Sequence, residues 1–162
     1  MRSMELTLVA LCLASSMGSA RGAGSVDVTF VKPELYSDAG DPGTSRERNL
    51  SAISQQLQRL GATRLADGQT LAIQVLNLDL AGETRPARRG GLVRVLSGGA
   101  DWPRVELRYS LSANGQVLRS GEESVVDMNY LRHVASHPSY AGALPYETRM
   151  LETWFKARFG EK

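Results

Sequence analysis

Cysteine is almost absent from this chain: of 162 residues one is a cysteine, Cys12, and it lies in the first segment. The remainder of the chain has no thiol nucleophile, thiolate metal ligand, redox relay or disulfide. Aromatic residues make up 6% of the sequence, too few for an aromatic ligand cage or a base-stacking platform. An excess of one charge is missing as well. Lys plus Arg is 19 and Asp plus Glu is 17, a net charge of +2, which leaves no electrostatic footprint of nucleic-acid binding. HExxH, GxSxG and P-loop patterns are lacking, so no familiar zinc-protease, serine-hydrolase or nucleotide chemistry has its motif here, and no cofactor is implied. The chain does have a hydrophobic fraction of 42%, enough for the core of one domain of ordinary size and too much for a disordered chain.

Residues 1–20 read as a cleaved secretory signal. Arg2 gives a positive start, Leu6 to Leu13 is a compact apolar run, and Ala14 to Ala20 is rich in small residues. Gly18 and Ala20 set the expected cut after Ala20. The run is well short of the roughly 20 apolar residues that span a bilayer, so no transmembrane segment is expected once the signal is removed. Cys12 sits between Leu11 and Leu13, inside the run, rather than after a small residue at its end, which argues against lipid attachment. The expected destination is the periplasm or the exterior.

The rest alternates strand and helix. Ser25 to Lys32 places Val26, Val28 and Phe30 on one face and Asp27 and Thr29 on the other, a half-buried strand that Pro33 stops. Thr44 and Glu47 have the spacing of a capping box, and Leu50, Ile53, Leu57 and Leu60 then form one helical stripe that Gly61 is expected to end. Thr70 to Leu80 is a strand whose apolar parity switches at Val75–Leu76, signalling burial on both sides or a bulge. Leu92 to Leu96 is a short strand or the arm of a long loop. Trp102 to Leu111 carries Val105, Leu107, Tyr109 and Leu111 on one face, and Asn114-Gly115 is a strong hairpin signal. Setting Val125 against Val105 requires one extra residue, expected at Gly121, and a glutamate then lands beside Leu107. Pro145 to Phe159 is a helix with Pro145 and Glu147 in its first turn and Met150, Leu151, Trp154, Phe155 and Phe159 on its apolar face.

These elements predict an α+β fold: two layers, a mainly antiparallel sheet with two helices on one face, in the order β-α-β-(β)-β-β-α. One domain is expected over residues 26–160. The segments VDVTFVKPELYSD, GQTLAIQVLNLDLAGE, WPRVELRYSL, GEESVVDMNYL and YETRMLETWF, in this order, resemble a proteobacterial family of secreted proteins catalogued only as a domain of unknown function. The resemblance runs from about Val26 to Phe159. It implies a periplasmic or secreted single domain and carries no reaction, cofactor or catalytic residue with it. The Arg-rich stretch 85–94 and Gly98-Gly99-Ala100 are less typical of it.

Several residues remain as chemical candidates. His133 and His137 are four apart, a spacing that on a helix can serve one metal, yet Pro138 biases His137 away from helical geometry. A metal site with no further support is a weak reading, and a solvated loop the plainer one. Asp79, Glu83, Glu122, Glu123, Asp127 and Glu147 are the carboxylates for acid–base work, although Asp79 and Asp127 suit capping and turn roles equally. Arg85, Arg88, Arg89 and Arg94 form the one basic cluster, either an anion-binding patch facing lipid or polysaccharide or a mobile, soluble loop. Asp79, Asp127, Asn129, Tyr130, Tyr146 and Glu147 are the binding candidates. For most of these, tyrosine hydroxyls tying down the crossover to the last helix are the plainer explanation. Two function classes stay open: a non-enzymatic periplasmic binding or envelope-accessory protein, whose partner is an envelope protein or a lipid or polysaccharide surface, and an enzyme or metal-binding protein using the carboxylates and histidines.

Overall fold

The computed structural model describes residues 23–134 and 144–160. The expected signal, residues 1–20, and His137 lie outside the described residues. The elements are β1 (Ser25–Phe30), α1 (Thr44–Arg64), β2 (Gln69–Asp79), β3 (Glu83–Pro86), β4 (Leu92–Val95), β5 (Arg104–Ala113), β6 (Gln116–Val126), α2 (Tyr130–Val134) and α3 (Pro145–Phe159). Four strands form one sheet in the order β1-β2-β5-β6, and β3 and β4 form a separate hairpin. β1 runs parallel to β2, joined through α1, while β2, β5 and β6 are successively antiparallel. The fold is α+β.

Alternation along the strands explains the layering. Leu71, Ile73 and Val75 of β2 and Val105, Leu107, Tyr109 and Leu111 of β5 are buried, and they pack with Ile53, Leu57 and Leu60 of α1 and Met150, Leu151, Trp154, Phe155 and Phe159 of α3. The opposite face carries polar or small residues in cross-strand rows, such as Thr29, Gln74, Arg108 and Glu122. Edge-to-face contacts among Tyr109, Trp154 and Phe159, with centroids 5.5–6.0 Å apart, fix α3 over β5.

The parity switch in β2 is a bulge: Val75 pairs with Leu107 and Asn77 with Glu106, leaving Leu76 as the extra residue. That shift returns Leu78 to the buried face. The hairpin turns at Asn114 and Gly115 with φ of 52° and 76°, and Ala113 pairs with Gln116. Val125 faces Val105 and Glu123 faces Leu107.

Five expectations need correction. The extra residue of β6 is Leu118, not Gly121, because Leu111 pairs with Arg119 and Ser112 with Val117. Gly121 instead lies opposite Tyr109, where a β-carbon would come within 3.0 Å of the phenol oxygen. There is no capping box, since the helix starts one residue earlier: Gly43, with φ of 96°, is the N-cap, and Thr44 already lies in the helix. Gly61 does not end α1, which runs on to Arg64; it lets the helix approach β1, because a β-carbon there would overlap the side chain of Val26. β1 ends at Phe30, since Lys32 turns left-handed with φ of 50° into a short 3-10 turn at Pro33–Leu35. Finally, the Arg-rich segment is no free loop: Glu83 pairs with Val95 and Pro86 with Leu92, so the arginines ride on a hairpin.

Candidate functional site

The chain after β2 passes a node of charged side chains, and each arrives from a different element. Ser37 to Gly40, in the β1–α1 connection, runs parallel to the end of β2: Asp38 N–H donates to Leu78 O and Leu80 N–H to Asp38 O, both at 3.0 Å. This places Asp38 beside Asp79. Arg94, on β4, reaches the same place. It donates to Ala81 O at 3.0 Å, to Gly82 O at 3.2 Å and to the Asp38 carboxylate at 2.9 Å. Glu147, from the first turn of α3, is buried beneath, and its Oε1 accepts the Ala81 N–H at 2.8 Å. The Ala81–Gly82 peptide units are thus held by a carboxylate from α3 and a guanidinium from β4.

Beside this node lies a second group. Gly82 N–H donates to Asp101 O at 2.8 Å, and the Asp101 carboxylate accepts the N–H and hydroxyl of Ser97 at 2.7 and 2.9 Å. Tyr130 is buried at the start of α2; Gly98 N–H donates to its hydroxyl oxygen at 3.3 Å, and its ring meets Tyr146 edge-on at 5.0 Å. Asp127 makes a turn: its carboxylate accepts Asn129 N–H at 3.0 Å, which starts α2.

The electrostatics reflect the burial. Desolvation pushes the Glu147 carboxyl above the ordinary glutamate value, against the opposing bond from Ala81, and Oε2 has no hydrogen-bond partner among the described residues. Burial, then the neighbouring Asp38, pushes Asp79 up; Arg104 and Arg94 pull the other way. Asp101 goes down: burial opposes its ionised form, but the bonds from Ser97 and Tyr130 outweigh it. Burial and the Asp101 carboxylate push the Tyr130 phenol up.

The structure therefore brings Asp79, Glu147 and Arg94 to one node and Tyr130 and Tyr146 to the next. Asp127 and Asn129 stay together at the head of α2, and Arg85, Arg88 and Arg89 sit outside the node. Arg85 pairs with Glu83 on the exposed hairpin at 2.8 Å, and Arg88 and Arg89 are exposed at its tip, in the turn closed by Ala87 and Gly91. Asp38 and Asp101 escaped the sequence reading. Asp38 is far from Asp79 in sequence, and the Asx-turn pattern at Asp38-Ala39-Gly40, in which Gly40 N–H donates to the carboxylate at 2.8 Å, was the only local signal. His133 falls on α2; its side chain, like the whole of His137, lies outside the described residues. Among the described residues no group of three or more His, Cys, Asp or Glu is placed to hold a metal ion. None of the described helices is long and apolar enough to cross a membrane.

A cavity of about 320 Å³ opens above Arg94, between the start of α1 and the hairpin, with Asn49, Leu80, Val93 and Leu144 in its wall. The model of a protein family of unknown function, DUF3016, matches residues 24–157. The chain belongs to the DUF3016 family. The matched span includes every residue of the charged node and of the tyrosine group in this DUF3016 chain. No curated protein and no solved structure matches it.

Proposed function

We propose that this DUF3016 protein is an exported, non-enzymatic binding or envelope-accessory domain of proteobacterial type. The observation that carries the reading is the use made of the candidate carboxylates. Glu147 is buried and grips the Ala81 N–H, Asp38 holds Arg94 and Gly40, and Asp127 starts α2. Each serves the placing of a backbone segment, the role of a structural tie rather than of an acid or base that meets substrate. The exported location is supported by the pattern of residues 1–20. The exposed Arg88 and Arg89 at the tip of a tethered hairpin suit contact with an anionic partner or surface.

The test is native mass spectrometry of the full chain expressed with its first segment in a Gram-negative host and recovered from the periplasm. The reading predicts a product beginning at Arg21 that retains a macromolecular partner after mild crosslinking. A chain kept in the cytoplasm with residues 1–20 attached contradicts it. A retained metal ion or small product-like ligand supports the enzyme or metal-binding alternative instead.

A further inference from the structure

We propose that the β3–β4 hairpin docks on a lipid bilayer that carries anionic phosphodiester headgroups, with Arg88 and Arg89 on the phosphates and Leu92 and Val93 in the interface. The inference rests on the binding reading above and names the chemistry of its partner.

The charge at the apex is of one sign. From Thr84 to Ala100 the chain has four arginines, Arg85, Arg88, Arg89 and Arg94, and no aspartate or glutamate. Carboxylates from outside that stretch meet two of them: Glu83 pairs with Arg85 at 2.8 Å and Asp38 with Arg94 at 2.9 Å. Arg88 and Arg89 pair with no carboxylate among the described residues. Both are exposed, and they are the two central residues of the turn that Gly90 N–H closes on Ala87 O at 3.0 Å. Asp41 lies across the cavity from Leu92 and Val93, on the side of α1, and pairs with neither arginine. Two adjacent guanidiniums with no local counter-charge complement a layer of phosphates.

Hydropathy selects lipid over other anionic surfaces. β3 and β4 pair only with each other, and every residue from Glu83 to Val93 except Ala87 is exposed. Leu92 is 57% and Val93 45% exposed, and Pro86, the cross-strand partner of Leu92, is exposed beside it. Adjacent strand residues point to opposite faces, so apolar surface lies open on both faces of the hairpin just below the arginines. An acidic polysaccharide makes no use of that surface, whereas the acyl boundary under a headgroup layer buries it. Apolar insertion combined with basic charge is the pair of signals that holds a protein at a bilayer interface. The apex is also free to approach a flat surface: a β-carbon on Gly90 or Gly91 would meet nothing within 4 Å. At the base, Arg94 holds Ala81 O and Gly82 O, and Gly82 N–H donates to Asp101 O at 2.8 Å. These bonds fix the direction in which the hairpin is presented, so docking orders little further chain.

The test is flotation of the full chain with vesicles of mixed phosphatidylglycerol and phosphatidylcholine and, in parallel, of phosphatidylcholine alone. The proposal predicts association with the anionic vesicles only. The double substitution Arg88→Glu, Arg89→Glu is predicted to weaken it roughly tenfold or more. Leu92→Asp is predicted to weaken it by a similar factor, and Ser110→Ala on the open sheet face to change nothing. In Leu92→Trp, tryptophan emission is predicted to move to shorter wavelength on the anionic vesicles, a readout that does not depend on a disruptive variant folding. Association that needs the arginines but ignores Leu92→Asp and leaves that emission unmoved is adsorption by charge alone and overturns the proposal. Association that survives every substitution belongs to another segment, such as the apolar run Leu6 to Leu13, and overturns it as well. Absence of association overturns it too, and the periplasmic mass measurement then decides the binding reading separately.

Discussion

Glu147, at the start of α3, holds the main chain of Ala81, just past β2: the Ala81 N–H points at Glu147 Oε1 from 2.8 Å, and both residues are buried. A carboxylate that satisfies a buried backbone donor is a structural element, and its removal leaves the donor orphaned. Glu147→Ala is expected to cost about 2–4 kcal/mol in urea unfolding, from the lost bond and the space left behind. Glu147→Gln, which still accepts from Ala81, is expected within about 1 kcal/mol of the parent.

The same residue has a pH signature. Burial raises its carboxyl above the ordinary 4.5, so the folded state favours the neutral form. That contribution is whole below 4.5 and is lost as pH rises through the raised value. Thermal melts of Glu147→Gln from pH 4.5 upward are expected to show a shallower decline than the parent. An unchanged slope contradicts the assignment.

Glu123 is expected to act in the opposite direction. Burial opposes its charge, but bonds from Arg158, Trp154 and Tyr109 outweigh this and hold it below 4.5. Its contribution is present above 4.5 and is lost as pH falls through the depressed value. Glu123→Gln is expected to lower the melting temperature at neutral pH and to narrow the gap from the parent in acid.

Arg94 bonds Ala81 O, Gly82 O and Asp38 through one guanidinium, a geometry that a lysine ammonium does not reproduce. Arg94→Lys is expected to cost about 1–3 kcal/mol. Hydrogen exchange is expected to quicken across residues 83–95 before it does elsewhere. Uniform acceleration over the whole sheet contradicts a local tether.

Gly61 is a case in which helix propensity misleads. Alanine there gains about 1 kcal/mol of propensity. The added methyl meets the Val26 side chain, and such overpacking costs about 1–3 kcal/mol. Gly61→Ala is expected to lower the melting temperature, and a rise contradicts the close approach of α1 to β1.

Elements with strong periodicity were legible in the sequence. Pro145 to Phe159, the Asn114-Gly115 turn and the parity switch of β2 arise from local patterns that tertiary contacts reinforce. The hidden features depend on partners remote in sequence. Gly61 reads as a helix stop until Val26 is placed against it, and Gly121 reads as a bulge until Tyr109 is placed over it. β3 is four exposed residues whose pairing with β4 no alternation announces. At the candidate site Glu147 and Arg94 were visible as charges, but Asp38 joins them only through the parallel pairing of the β1–α1 connection with the end of β2.

The most direct test of an exported binding domain is photo-crosslinking in the intact envelope, with a photoreactive side chain placed in turn at Ala87, Leu92 and Ser110 of the full chain. Ala87 and Leu92 flank the tip of the β3–β4 hairpin that carries Arg88 and Arg89, and Ser110 lies on the open sheet face. The account predicts one discrete adduct from Ala87 and Leu92 and none from Ser110. Absence of any adduct from all three positions, in a chain that reaches the envelope folded, contradicts it.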